Sequence, residues 1–438
     1  MAVISRRKLE TALPHRTQAT GLLGAGVRLA AVRAVNLGAG IALTVLLAGA
    51  LGADGYGQYL FALALAQILA MPVLAGLPTL VVRETAVARA TNDRATLRGL
   101  RRWAFGLVAG TSGLLGLAAL GWALVAAPTG GGAGVALLAV PLVAGLGFLR
   151  VAASLLQGYE KPLAGALPDG ALRPLLLLAF VALALAAGGL SPAGAMALHA
   201  GAVAGALAWT LLAMARLARA PAAAHPRYAA RAWLRSLLPL SLITAAALVN
   251  ARLDLLMLGV LEGPESVAVY GIAAQIAGTA LIGRQIVATV LQPRLARLWA
   301  AGARDELQAL ATRAARLAAL SVAGAALAVA LAGPPAIEAL VGPAFATAAP
   351  LAVFLCVGLL VVAATGPADA LLNMAGHEMA TVKAVAAGAA LNAALNAVLI
   401  PAFATPGAAA ASVVSLALAH LLLARAAATR LGIRTWAR

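Results

Sequence analysis

A few charged residues stand where a chain this apolar should carry none. Arg252 and Asp254 interrupt one long apolar run, Arg284 interrupts the next, and Arg28 and Arg33 lie at the start of the first. On insertion scales a charge at the centre of a spanning helix costs about 2.5–3.5 kcal/mol, so it is retained where it faces a partner or a water-filled cavity. Arg252 and Asp254 are two residues apart, about 200° around a helix, and cannot pair with each other. An anionic ligand is a natural partner for so deep an arginine, because guanidinium makes bidentate, charge-assisted bonds to oxyanions. Arg28 reads as snorkelling to the headgroups; for Arg33 snorkelling and a cavity position stay open. Asp254 is the only carboxylate read as lying well inside an apolar span. With Asn392 and Asn396, an i, i+4 pair on one helix face, and Ser412 or Ser415, it is a candidate cation or proton site. The bland alternatives are interhelical hydrogen bonds from the asparagines and a salt bridge from Asp254 to Arg284.

Other chemistries find no support. Gly130-Gly131-Gly132 has no following Lys-Ser/Thr and reads as a loop, not a phosphate cradle. The five histidines lack ligand spacing, which argues against zinc, and a single Cys356 builds no disulfide. A membrane polymerase or glycosyltransferase would carry a large outer loop with catalytic acids or Arg/His, and every outer loop here is short, so an enzyme is not expected; neither is a cofactor, beyond coupling sodium ions or protons.

The elements that must position these residues are membrane helices. The 438 residues are 63% hydrophobic and 11% charged, with mean hydropathy +0.97; soluble domains carry roughly 25% charged residues. An all-α polytopic membrane protein follows. Spans are expected at 28–52, 56–82, 102–127, 133–158, 166–188, 191–215, 236–261, 267–293, 312–333, 348–373, 380–402 and 405–428. Uncharged stretches too long for one helix carry a breaker near the middle and read as hairpins: Pro128 with the three glycines, Gly188-Gly189 with Pro192, and Pro401 with Pro406-Gly407. With the N-terminus inside, the outer loops hold only Asp54, Glu262, Glu265 and Glu338, while basic residues crowd the inner segments. That is the positive-inside pattern, with both termini cytoplasmic, and it accounts for the net charge of +18 without a nucleic-acid surface. Tyr59 and Tyr270, at helix starts, read as interfacial anchors.

The chain also repeats itself. A shift of 211 residues carries Asp54 onto Glu265, Tyr59 onto Tyr270, Arg83 onto Arg294 and Arg102 onto Arg313, and superposes the intervening loops without a gap. A six-span offset preserves orientation, which gives two parallel, pseudo-symmetric six-helix lobes around a central cavity. The expected division is a cytoplasmic segment 1–27, an N-lobe 28–216, a basic linker 217–235 with Pro221 and Pro226, a C-lobe 236–428 and a tail 429–438.

Four stretches in register carry a family resemblance: Leu51-Gly52-Ala53-Asp54-Gly55-Tyr56-Gly57-Gln58-Tyr59; Gly76-Leu77-Pro78-Thr79 with Arg83-Glu84; Asp254…Gly263-Pro264-Glu265…Tyr270; and Asn392…Asn396…Leu399-Ile400-Pro401. They resemble motifs of the Wzx-like polysaccharide flippases, a branch of the multidrug/oligosaccharidyl-lipid/polysaccharide exporter superfamily. Ala53 departs from the family's usual proline, and Ala404-Thr405-Pro406 from its aromatic-glycine pair. The resemblance implies translocation of a polyprenyl-pyrophosphate-linked oligosaccharide across the cytoplasmic membrane by alternating access, driven by an ion gradient or the membrane potential. It implies Arg33, Arg252 and Arg284 on the pyrophosphate, and as partners the lipid-linked glycan, membrane lipids and the polysaccharide polymerase machinery. The alternative is a cation-coupled multidrug exporter; such exporters carry acidic cavities, whereas most deep charges here are arginine.

Overall fold

A computed structural model describes residues 17–71, 75–126, 133–217 and 225–437. The leader before Thr17, the Gly130–Gly132 turn and Pro221 of the linker lie outside the described residues. Among the described residues the chain is entirely helical. Nine helical stretches among these residues are long and apolar enough to cross a membrane. Two of these are pairs of helices broken at single residues, Gly52 and Ala404, and the stretch 230–261 supplies a further crossing. Twelve passes result, as expected from the sequence. We label them α1 (17–51), α2 (53–69, resumed after a break as Leu77–Ala90), α3 (Arg94–Ala126), α4 (Ala133–Gly158), α5 (Pro162–Ala186), α6 (Pro192–Leu217), α7 (Ala230–Leu261), α8 (Pro264–Ala300), α9 (Arg304–Leu340), α10 (Ala348–Ala364, resumed as Ala368–Met374), α11 (378–403) and α12 (405–431).

The differences from the expected spans have local causes. α2 resumes after Gly76 (φ 75°) with Pro78 in its first turn, and α10 breaks at Gly366-Pro367, where a positive φ (65°) precedes a residue without an N–H. α8 and α9 run to 37 residues each, about 55 Å at 1.5 Å per residue against a hydrocarbon core of about 30 Å. Their Ala-, Leu- and Arg-rich inner ends are good helix formers, so the helices stop only at the turn Ala301-Gly302-Ala303. α5 contains one π turn, Pro168–Leu172, in which the Arg173 N–H reaches back to the Pro168 carbonyl.

The repeat is visible in the backbone. Gly52 (φ 68°, ψ −177°) and Gly263 (φ 103°, ψ −179°), 211 residues apart, take the same extended, positive-φ conformation that glycine alone adopts readily. Each ends the first helix of its lobe and starts the second. The lobes meet at this end of the bundle. A Cβ on Gly57 of α2 would lie 1.8 Å from the Pro264 carbonyl oxygen, and one on Gly259 of α7 would lie 2.2 Å from the Phe61 ring. One apolar core runs through that seam, with Tyr59 and Ala62 in the same cluster as Leu258, Val267 and Tyr270.

At the opposite end the connections are latched by polar contacts. Asp93 caps α3 by accepting from the Thr96 N–H (3.0 Å), and the same carboxylate pairs with Arg227 of the linker. The Arg227 N–H also donates to the Ala95 carbonyl (3.0 Å). Trp233 at the start of α7 is buried against Trp103 (ring centroids 5.2 Å). The tail folds back on the second lobe: the Arg434 N–H donates to Gln308 (2.7 Å), and the Ala437 N–H donates to the Ala364 carbonyl (2.9 Å).

Candidate functional site

Asp254 sits on α7, 5% exposed, at the centre of a polar cluster in the second lobe. Asn396 of α11 donates to its Oδ1 (2.6 Å), while Tyr270 of α8 (2.6 Å) and Ser412 of α12 donate to its Oδ2. Asn396 also donates to Asn392 Oδ1 (3.1 Å), one turn away. Four helices thus converge on one carboxylate, bringing together Asp254, Asn392, Asn396 and Ser412 from the sequence reading. Ser415 instead donates to the Ser412 carbonyl (3.1 Å). Charge-assisted bonds of this kind contribute roughly 1.5–3 kcal/mol each, which offsets part of the cost of burying the charge.

The accounting leaves a remainder. Among the described residues Asn396 Oδ1 and Asn392 Nδ2 are two of six buried side-chain polar atoms without a partner, whereas proteins in general satisfy nearly all such atoms. An orphaned acceptor beside a carboxylate, with an amide and hydroxyl oxygens close by, is the oxygen-rich set that a hard monovalent cation takes. The proposed salt bridge from Asp254 to Arg284 is not formed. Arg284 faces Asp369 of α10 instead (3.6 Å) and lines a cavity of about 210 Å³ with Leu295, Ala318, Gly366 and Pro367.

The three arginines occupy different settings. Arg33 on α1 is exposed and Arg252 is half-buried. Arg252 projects from α7 across the lobe seam, where its Nε donates to Gln67 Oε1 of α2 (2.6 Å). Among the described residues no carboxylate lies within ion-pair distance of it. It is therefore a cation at the junction of the lobes held by a neutral partner, whereas Arg284 is held by an acid.

One expectation needs correction, while Asp169 (α5) and Asp369 (α10) join Asp254 as carboxylates on crossing helices. Tyr59 and Tyr270 are not interfacial anchors. They are buried at 4% and 3% exposure, and each holds a polar group of its own lobe: Tyr270 the Asp254 carboxylate, Tyr59 the His199 ring (2.8 Å). The sequence reading passed over the first-lobe network that includes Arg150, Asp169, Arg173 and His199. One signal was available, the i, i+4 spacing of Asp169 and Arg173 within an apolar stretch.

A sequence profile of the polysaccharide biosynthesis protein family matches residues 24–299. No curated protein sequence matches the chain. Among solved structures, the fold is similar to a multidrug resistance MATE family transporter of the MOP superfamily in an inward-facing conformation (13% identity, 91% of this chain and 95% of that one, TM-score 0.72). It is also similar to a MOP superfamily transporter from Pyrococcus furiosus (14%, 93% and 95%, TM-score 0.66) and to the lipid II flippase MurJ in an inward closed conformation (12%, 92% and 86%, TM-score 0.64). At these identities the likeness establishes the fold.

Proposed function

Since the chain belongs to the polysaccharide biosynthesis protein family, we propose that it is a flippase of the Wzx type, moving a polyprenyl-pyrophosphate-linked oligosaccharide across the cytoplasmic membrane. The single observation that carries this reading is Arg252, a half-buried cation at the lobe seam whose partner is the neutral Gln67. A permanent cation held that way retains most of its capacity for a phosphate oxyanion, and its planar fork suits a pyrophosphate. A cavity built for cationic drugs would place an acid there. Arg33, exposed on α1, and Arg284, on its cavity in the second lobe, are the further proposed contacts; Arg284 would have to exchange Asp369 for the ligand.

In this mechanism the N-lobe (28–216) and C-lobe (236–428), joined by 217–235, rock about the seam. With both termini cytoplasmic, the close seam between Gly57 and Pro264 would face outward and shut the cavity from the outside. The glycan would enter from the cytoplasm while the polyprenyl chain stays in lipid. Asp254, Asn392, Asn396 and Ser412 would hold a coupling cation, sodium or a proton, whose binding alters the packing of α7, α8, α11 and α12. Lipid-linked glycan, membrane lipids and the polysaccharide polymerase machinery are the proposed partners.

The test is flipping of a polyprenyl-pyrophosphate glycan in reconstituted vesicles. Arg252→Ala should slow it by about 10- to 150-fold, the equivalent of one charge-assisted contact, and Arg252→Lys should recover part of the rate. Normal flipping by Arg252→Ala with intact insertion would remove the pyrophosphate assignment.

A further inference from the structure

The first lobe contains a buried histidine that nothing in the flippase reading uses. His199 of α6 is 3% exposed. Its Nδ1 lies 2.8 Å from the Tyr59 hydroxyl of α2, and its Nε2 lies 3.0 Å from Arg173 Nη1 of α5. Arg173 Nε donates to Asp169 Oδ1 (2.8 Å), and Arg150 of α4 pairs with Asp169 Oδ2 (2.5 Å). Tyr56 stacks in turn on Tyr59 (ring centroids 6.3 Å); among the described residues Tyr59, Arg173 and Asp169 are the titratable groups around the ring. The file Tyr56–Tyr59–His199–Arg173–Asp169–Arg150 therefore runs from beside Gly57 at the lobe seam to Arg150, which is half-exposed (52%).

Elementary hydrogen-bond bookkeeping fixes the state of the ring. A guanidinium only donates, so Nε2 must present its lone pair to Arg173. The proton of the neutral imidazole is then on Nδ1 and is donated to the Tyr59 oxygen. A second proton on Nε2 would set an N–H against an N–H, and an imidazolium against a guanidinium, at 3.0 Å. The acid in the cluster gives no relief, because Asp169 is already shared by two arginines. Arg173 thus occupies the place a proton would take.

We propose that His199 is a proton-binding site in which the proton and the Arg173 guanidinium exclude each other, so that protonation is tied to movement of α5. The local backbone is suited to such movement. Arg173 directly follows the π turn Pro168–Leu172, a feature that recurs at functional sites. Arg173 is 22% exposed, so its side chain is not sealed in the cluster. The repeat supplies an independent argument. Tyr59 and Tyr270 are equivalent under the 211-residue shift, and each is tied to a polar group on the last helix of its lobe, His199 on α6 and Ser412 on α12. The first-lobe cluster is thus the counterpart of the Asp254 cluster, with a histidine and a built-in cation in place of carboxylate and amides. In the structure, closed at the seam, Arg173 is seated and the site is proton-free. A state that withdraws Arg173 would admit a proton to Nε2, and the return of Arg173 would expel it.

Imidazole-nitrogen NMR on the full-length chain with labelled histidine, in lipid nanodiscs, tests the site directly. The chain has five histidines, and His199→Gln identifies the signal by its loss. At neutral pH the ring should be in the Nδ1–H tautomer. At about pH 6 the imidazolium fraction should rise at least ~tenfold in Arg173→Gln. Arg173→Met keeps the volume of the stem without the charge and should give the same rise, which covers the case in which the Gln variant fails to fold. An Nε2–H tautomer, or an imidazolium fraction indifferent to Arg173, overturns the proposal. Its link to the cycle rests on the transport reading. Spin labels at Asp54 and Glu262, which flank the seam, should report a pH-dependent separation that His199→Gln abolishes. A ring that titrates while the seam ignores pH refutes the link and leaves the proton site standing; failure of glycan flipping bears on neither measurement.

Discussion

Gly57→Ala is the sharpest perturbation of the closed seam. The added Cβ would lie 1.8 Å from the Pro264 carbonyl oxygen and 2.4 Å from its carbon, where ordinary contact begins at 3.4 Å. The obstacle is backbone at the start of α8, pinned by Gly263 on one side and by the buried Val267 on the other, so no rotamer change relieves it. The two helices must separate by about 1.6 Å at that point. Overpacking of this kind costs about 1–3 kcal/mol, and because the contact joins the lobes the cost falls on the closed state. The ratio of closed to open molecules should therefore fall about 5- to 150-fold. Spin labels at Asp54 and Glu262, both exposed, read it as a longer component in their distance distribution. Gly49→Ala on α1 meets nothing within 4 Å and serves as the neutral control. A distribution in Gly57→Ala identical to that of the unmodified chain, with the fold intact, would refute the assignment of this seam as the closing contact.

Further outcomes follow from other sites. Asp254→Asn should weaken the sodium or pH dependence of flipping by at least ~tenfold while the helices persist; unchanged dependence with lowered thermal stability would make the cluster structural. Cysteines at Glu262 and Thr405 should react with an impermeant thiol reagent from outside and one at Ala301 should not, against a silent background because Cys356 is buried; the reverse pattern breaks the topology. The Thr96 N–H and hydroxyl bonds to Asp93, with Arg227 adding to them, hold its carboxyl below the ordinary range. A group depressed on folding stabilises above its unfolded value and ceases to as pH falls through its folded one. A spin label at Ala229 should accordingly stay immobile at neutral pH and gain mobility only below about pH 4, and Asp93→Asn should mobilise it at neutral pH.

Much of this protein was determined by sequence alone, for reasons that are local. Twenty-residue apolar runs and their breakers set how often the chain crosses, because lipid leaves the backbone no other way to satisfy itself. The 211-residue repeat fixed the pairing of the lobes, and Gly52 and Gly263 duly share one backbone conformation. Asp254, Asn392 and Asn396 could be grouped because a carboxylate and two amide oxygens one turn apart make a hard-ligand set; in the structure Asn396 donates to Asp254 and to Asn392. The identity of each partner was not legible. Arg284 belongs to Asp369 and not to Asp254, and Arg252 meets Gln67 some 185 positions away; such pairings depend on how helices rotate and cross, which a pattern of period 3.6 does not encode. The tyrosines were misread for the same reason, since a ring at a helix start faces lipid or core according to its neighbours. The Arg150–Asp169–Arg173–His199 network needed three helices and a π turn to assemble, and only the tertiary packing brings a guanidinium to the one nitrogen of His199 that could otherwise take a proton.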